Sequence, residues 1–269
     1  MESNTVGIAV AQLAPTTDSA ANLARIRELA TIAAGRGAKL VVFPEYSSYF
    51  APSLGQDFVD AAQELDGSFV GGIRVLATEL GLYLVVGIVE RIDDPARFSN
   101  TLVAVSPAGD VIATYRKLHL YDAFGDKEST WVRPGDIEPP QLFAFHEFTV
   151  GLQTCYDLRF PEVTRRLVDA GANLVLVPSE WVRGPLKEQH WRTLVAARAI
   201  ENTVYVAAAD HTPPIGVGNS MIVDPMGVEI AMLGEVSDVA VAAIALARVE
   251  QVRTLNPAVS LRRFGVVEK

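Results

Sequence analysis

The chain repeats itself, and a duplicated unit limits its architecture more than any other feature of the sequence. The run VGIAVAQ (Val6 to Gln12) is echoed by VGLQTC (Val150 to Cys155), and GAKLVVFPE (Gly37 to Glu45) by GANLVLVPS (Gly171 to Ser179). A third run, NTLVAVSPAGDVIA (Asn100 to Ala113), is echoed by NSMIVDPMGVEIA (Asn219 to Ala231). The order of the echoes holds while the distance between copies shrinks along the chain. Two diverged halves with different insertions follow, not a solenoid of fixed period.

Each half reads alike. A buried strand leads into a helix, over Ala21 to Arg36 in one copy and Pro161 to Ala170 in the other. The Gly-Ala-x-Leu-Val strand comes next and ends at a proline, which cannot donate to a ladder. A second helix follows: Phe58 to Leu80, broken near Asp66-Gly67, or Lys187 to Asn202. Then come the β-rich runs LYLVVGIVE and TVYVAAAD, and a hairpin with a Pro-x-Gly turn. Strands this apolar need both faces covered. Two facing sheets with helices outside meet that need, so the expectation is an α/β, four-layer α-β-β-α sandwich with an internal pseudo-twofold repeat. A single doubly wound sheet is the alternative that the duplication disfavours. Residues 1–269 read as one such unit, with 257–269 a C-terminal tail available for contacts between copies.

Composition removes several function classes. Hydrophobic residues are 49% of the 269 and charged ones 20%, enough for a large core and against global disorder. A net charge of −9 argues against a nucleic-acid or anionic-membrane partner. The start Met1-Glu2-Ser3-Asn4-Thr5 is not a basic stretch leading into an apolar one, so no secretory leader is read. No run approaches the roughly 18 apolar residues that span a bilayer. The single cysteine can form neither an intramolecular disulfide nor a thiolate metal cluster, and a cytoplasmic protein is expected. His119, His146, His190 and His211 lack metal-ligand spacing, and GVGNS (Gly216 to Ser220) lacks the glycine fingerprint of a nucleotide site.

Chemistry collects at strand ends. Glu45 lies just beyond LVVFP, Cys155 ends the matching first strand of the second half, and Lys117 follows the first hairpin. Strand ends in such sheets converge on one edge, where ligands bind. A thiol nucleophile, a carboxylate to take its proton and an ammonium to stabilise an oxyanion are what amide hydrolysis through a thioester requires. Taken singly, each has a plainer explanation: an inert small hydrophobe, a solvated surface charge, a helix-start acid.

Together the motifs say more. FPEY, YRKLHL and CYDLRFPE, in that order and with ARAIEN, resemble the carbon–nitrogen hydrolase (nitrilase) superfamily from Val6 to about Pro257, and CYDLRFPE looks most like the Nit subgroup of amidases. The resemblance implies Glu45 as general base, Lys117 as the oxyanion-stabilising lysine and Cys155 as nucleophile, held at a strand-to-helix corner. It implies Glu128, with Asp126 as fallback, as a second glutamate positioning Lys117 and the substrate amide. The backbone N–H of Tyr156 would be the other oxyanion donor. It also implies the four-layer sandwich, a homodimer or higher oligomer, no metal and no organic cofactor. The substrate class implied is a small linear amide, such as the omega-amide of a 2-oxo or other carboxylic acid, split with release of ammonia. An acyltransferase or nitrile hydrolase on the same triad, and a non-catalytic redox thiol, are the alternatives. Arg159 is read either as a clamp for a substrate carboxylate or as a structural partner of Asp157 or Glu162. Arg183 is a second candidate cation, and Glu180 and Trp181 stand either in the pocket wall or in the core.

Overall fold

Alternation along the strands decides how the layers stack. In β1 (Val6–Ala11) Ile8 and Val10 join one buried cluster, while Ala9 and Ala11 join another. The computed structural model describes residues 4–268; Met1 to Ser3, part of the segment read for a leader, and Lys269 lie outside it. After β1 come α1 (Ser19–Gly35), β2 (Ala38–Val42), α2 (Gln56–Ala61), α3 (Ser68–Leu80), β3 (Tyr83–Glu90), β4 (Ser99–Val105) and β5 (Val111–Arg116). The second half runs through β6 (Leu142–Phe145), β7 (Phe148–Leu152), α4 (Pro161–Asp169), β8 (Leu174–Pro178), α5 (Lys187–Asn202), β9 (Tyr205–Ala209), β10 (Met221–Val223) and β11 (Glu229–Met232). Strand β12 (Val239–Ile244) and α6 (Leu246–Leu255) follow.

The strands form two six-stranded sheets, ordered β12-β1-β2-β3-β4-β5 and β6-β7-β8-β9-β10-β11. Strands β1, β2 and β3 pair in parallel, as do β7, β8 and β9, and each set continues into antiparallel strands. Leu40 and Val42 of one sheet and Leu174 and Leu176 of the other meet in the core between the sheets. Their neighbours face outward: Val41 toward Ile26, Leu29 and Ile73 of α1 and α3, and Val175 and Val177 toward Trp191 and Val195 of α5. The result is the four-layer α-β-β-α sandwich, each inner layer apolar on both faces.

The repeat is larger than the sequence echoes suggest. Each sheet has a sixth strand that the echoes do not contain, antiparallel to the first strand of its half: β6 beside β7, and β12 beside β1. The two are supplied differently. β6 immediately precedes β7, whereas β12 returns to β1 from the far end of the chain.

Local signals account for the helix limits. The side chain of Asp18 accepts hydrogen bonds from the N–H groups of Ala20 and Ala21, capping α1. The run Phe58 to Leu80 is interrupted as expected, with Ala62 extended and α3 starting after Gly67. In the described part of the tail Arg262 pairs with Asp169 and Glu268 with Arg166, while Leu261, Phe264 and Val267 are exposed. Among the described residues no helix is long and apolar enough to cross a membrane.

Candidate active site

Glu45 leaves the end of β2 and is pinned where it emerges. Pro44 accepts a hydrogen bond from the Gly87 N–H at 3.2 Å, and the Gly87 carbonyl accepts one from Ser48 at 3.2 Å. This crossing leaves no room for a side chain on β3: a Cβ on Gly87 would sit 2.6 Å from both the Glu45 Cα and the Tyr46 nitrogen. Backbone cannot yield there as a flexible side chain would. Gly87→Ala is therefore expected to lower kcat more than it raises KM, and to reduce stability by roughly 1–3 kcal/mol, the scale of overpacking. Urea unfolding and steady-state turnover on the purified variant check both halves of that expectation.

Four buried side chains meet on this strand end. Lys117 Nζ donates to Glu45 Oε1 at 2.9 Å and to Glu128 Oε2 at 2.9 Å. Asn100 Nδ2 donates to Glu45 Oε1 at 2.6 Å, and Glu45 Oε2 accepts from the Glu180 backbone N–H at 2.6 Å. Glu128 opens a short 3₁₀ turn, Glu128–Thr130, and accepts from the Tyr46 hydroxyl at 2.8 Å and the Tyr121 N–H at 2.5 Å. Glu45, Lys117 and Glu128 are 1%, 2% and 4% exposed, so their mutual fields are little screened by water. Burial pushes the Glu45 carboxyl up, Lys117 pulls it back and Glu128 adds to the rise. For Lys117 burial works against the charge, but Glu128 and Glu45 outweigh it and hold the ammonium well above its ordinary range. Glu128, not the fallback Asp126, is the second acid on this lysine.

Cys155 opens a 3₁₀ segment, Cys155–Arg159, with φ of 42°, left-handed backbone that few side chains adopt. Here the geometry differs from a simple strand-to-helix corner. Phe160 separates this segment from α4, whose first residue is Pro161. Asp157 locks the segment: it accepts from the Thr154 N–H at 3.1 Å, the Tyr115 hydroxyl at 2.7 Å and the His119 N–H at 3.0 Å. Tyr115 and His119 flank Lys117, so the cysteine and lysine motifs are hydrogen-bonded to each other. From the far side Arg198, in the ARAIEN run, donates twice to the Leu158 carbonyl, at 2.7 and 3.1 Å. The thiol itself donates to the Glu180 carbonyl at 3.4 Å. It is buried, and burial together with Glu45 raises it well above the ordinary cysteine range despite Lys117. The thiolate is the attacking species, so the sulfur becomes a nucleophile only when a base takes its proton.

Glu45, Lys117, Glu128 and Cys155 all line one cavity of about 470 Å³. Tyr156, Arg159, Glu180 and Trp181 line it too. Trp181 is both wall and core, packed 5.4 Å from Trp191 and donating its indole N–H to the Lys187 carbonyl at 3.0 Å. Glu180 keeps one carboxyl oxygen buried without a partner, and burial with Glu45 close by raises its pKa well above the carboxylate range. Arg159 is not bridged to Asp157 or Glu162, because Asp157 is already engaged by Tyr115, His119 and Thr154. Its guanidinium lies over the Trp181 ring at 4.8 Å and faces the cavity. Arg183 is outside the cavity, paired at the surface with Glu235 and Glu188. Two residues of this neighbourhood were not singled out from sequence: Asn100, which bonds to Glu45 and whose one signal was its place at the head of a repeated run, and Lys187, which lines the cavity and was read only as the start of a helix. Among the described residues no group of three His, Cys, Asp or Glu side chains could hold a metal ion.

Comparison with known proteins bears on this geometry. The carbon-nitrogen hydrolase family model matches residues 7–254. Deaminated glutathione amidase of Escherichia coli O157:H7 is 42% identical over 207 residues, 77% of this chain and 78% of that protein. Omega-amidase NIT2 of Danio rerio is 32% identical over 269 residues, 95% of this chain and 94% of that one. The crystal structure of the C. elegans NitFhit protein superposes with a TM-score of 0.87 at 32% identity, covering 98% of this chain and 66% of that chain.

Proposed function

We propose, because the chain belongs to the carbon–nitrogen hydrolase family, that it splits a small linear amide through a thioester on Cys155. Glu45 takes the thiol proton, and Sγ attacks the amide carbonyl carbon. The oxygen that becomes negative is held by Lys117 Nζ and the Tyr156 backbone N–H, worth ~10²–10³-fold per donor in comparable sites. Glu45 returns its proton to the departing nitrogen, which leaves as amine or ammonia. Water, deprotonated by the same carboxylate, then attacks the thioester and frees the acid. Glu128 holds Lys117 in place throughout. The observation that carries this reading is the shared ammonium: Lys117 bridges two buried carboxylates at 2.9 Å in the same cavity as Cys155.

The substrate carries a carboxylate, in keeping with the names of the amidase relatives. Arg159 supplies the cation for it, its planar fork suited to two parallel hydrogen bonds. Nucleophile and partitioning are tested together by adding linear amides with and without hydroxylamine, and following the acid formed, the hydroxamate and the intact mass. A mass increase equal to the acyl group, with free acid as main product, is the expected result. Hydroxamate without acid would make the protein an acyltransferase, and no adduct with any linear amide would overturn the thioester.

A further inference from the structure

Lys187 is a buried lysine without a carboxylate partner among the described residues. It begins α5 and lines the cavity of Cys155, only 7% exposed. Its Nζ donates to the Tyr121 hydroxyl at 2.6 Å and lies 3.9 Å from the centre of the Phe124 ring. The Arg159 guanidinium approaches the same Phe124 ring at 5.8 Å and the Trp181 ring at 4.8 Å. Among the described residues Arg159 Nε is buried with no partner, and the one side-chain hydrogen bond of Arg159, at 3.4 Å, is to His190. Two cations therefore share one aromatic wall, and neither is ion-paired with a carboxylate among the described residues. Asp126 and Glu180, which also line the cavity, act on Lys187 only at longer range. Burying an ammonium beside a guanidinium is unfavourable on both counts, desolvation and like charge. Burial and Arg159 indeed hold Lys187 below the ordinary lysine range.

We propose that Lys187 is a specificity-determining residue, which with Arg159 forms a two-cation subsite that receives a carboxylate at one end of the substrate. This rests on the amidase reading above and extends it from one cation to two. A carboxylate has two acceptor oxygens, enough to engage the Arg159 guanidinium and the Lys187 ammonium together. Binding removes the repulsion between the cations, so the subsite favours an anion over a neutral chain of the same length. The carboxylate comes from the acyl chain or from the amine that leaves, and the two sources are separable by experiment.

The test compares kcat/KM for butyramide, glutaramic acid (carboxylate on the acyl chain) and N-butyrylglycine (carboxylate on the leaving amine) in the wild type, Lys187→Met and Lys187→Arg. The wild type should prefer one carboxylate-bearing amide over butyramide. Lys187→Met should lower kcat/KM for that amide about tenfold or more, mainly through KM, as expected on losing a charge-assisted hydrogen bond. Butyramide should change little, and Lys187→Arg should recover much of the loss. Whichever acid is preferred identifies the side of the scissile bond on which the subsite lies. Equal losses for all three substrates would overturn the proposal, leaving Lys187 as a structural support of Tyr121. So would a wild type that turns over butyramide with no preference for either acid. If the wild type cleaved none of the three, the amidase reading would be the one at fault. Should Lys187→Met unfold, Lys187→Gln carries the same comparison.

Discussion

Cys155→Ala is expected to abolish acyl-enzyme formation and amide turnover while leaving a folded protein. The mechanistic loss is total because no other thiol exists in the chain. In comparable nucleophilic hydrolases, removing the nucleophile lowers kcat about 10⁶-fold. The structural loss is small but not zero. Cys155 is buried in the cluster that also contains Leu158 and Trp181, so deleting its sulfur removes packing on the scale of one methylene, roughly 1 kcal/mol. The left-handed backbone at this position is held by Asp157 and by the Arg198 contacts to Leu158, none of which involve the sulfur. Thermal unfolding should therefore shift by only a few degrees, about what that energy implies for a chain of this size. Cys155→Ser should be nearly as inactive, since Glu45 would have to deprotonate an alcohol. Retained acid or ammonia release by purified Cys155→Ala would end the thioester mechanism.

The second large effect separates the two glutamates. Glu45→Gln should remove both the burst and the steady state, because the same carboxylate serves acylation and deacylation; a loss of about 10⁴-fold or more is expected. The fold should survive, since Lys117 keeps its bond to Glu128 at 2.9 Å. Glu128→Gln should slow the reaction yet leave a measurable acyl-enzyme. It should also shift the pH profile in a defined direction. The Glu128 charge raises the Glu45 pKa, so neutralising it lets the Glu45 pKa fall. Glu45 must be ionised to act as base, and the acid limb of kcat/KM should accordingly move to lower pH in Glu128→Gln. Burst kinetics and a pH series on the two variants decide it. Identical behaviour, or an acid limb moving to higher pH, would refute the division of roles.

What could be foreseen from sequence was local or repeated. The strands of the three echoes, the break before Ser68 and the extent of α5 are all written in short stretches whose periodicity and punctuation are self-contained. What escaped depends on partners far along the chain. Nothing near Val239–Ile244 states that it will lie against Val6–Ala11. Arg159 looked equally able to pair with Asp157 or Glu162. It turns to the Trp181 ring and His190 instead, with Asp157 already taken by Tyr115 and His119, dozens of residues upstream. Lys187 reads as a solvated helix-start lysine until Phe124 and Tyr121 are seen to cover it. Glu45, Lys117 and Cys155 were easier to single out, because each sits in a short contiguous motif, FPEY, YRKLHL or CYDLRFPE, close to a strand end.

The return of β12 to β1 has a consequence for how the chain matures. During synthesis the first half emerges with five strands of its sheet in hand, but the outer edge of β1 stays open until residues 239–244 have left the ribosome. An unpaired edge strand as apolar as this one is a template for wrong pairing. The second half has no such delay, since β6 is translated just before β7 and can pair with it at once. The later-made half is thus the one able to complete its sheet first. The earlier-made half waits for its last strand, so the sandwich closes only after residues 239–244 have been made.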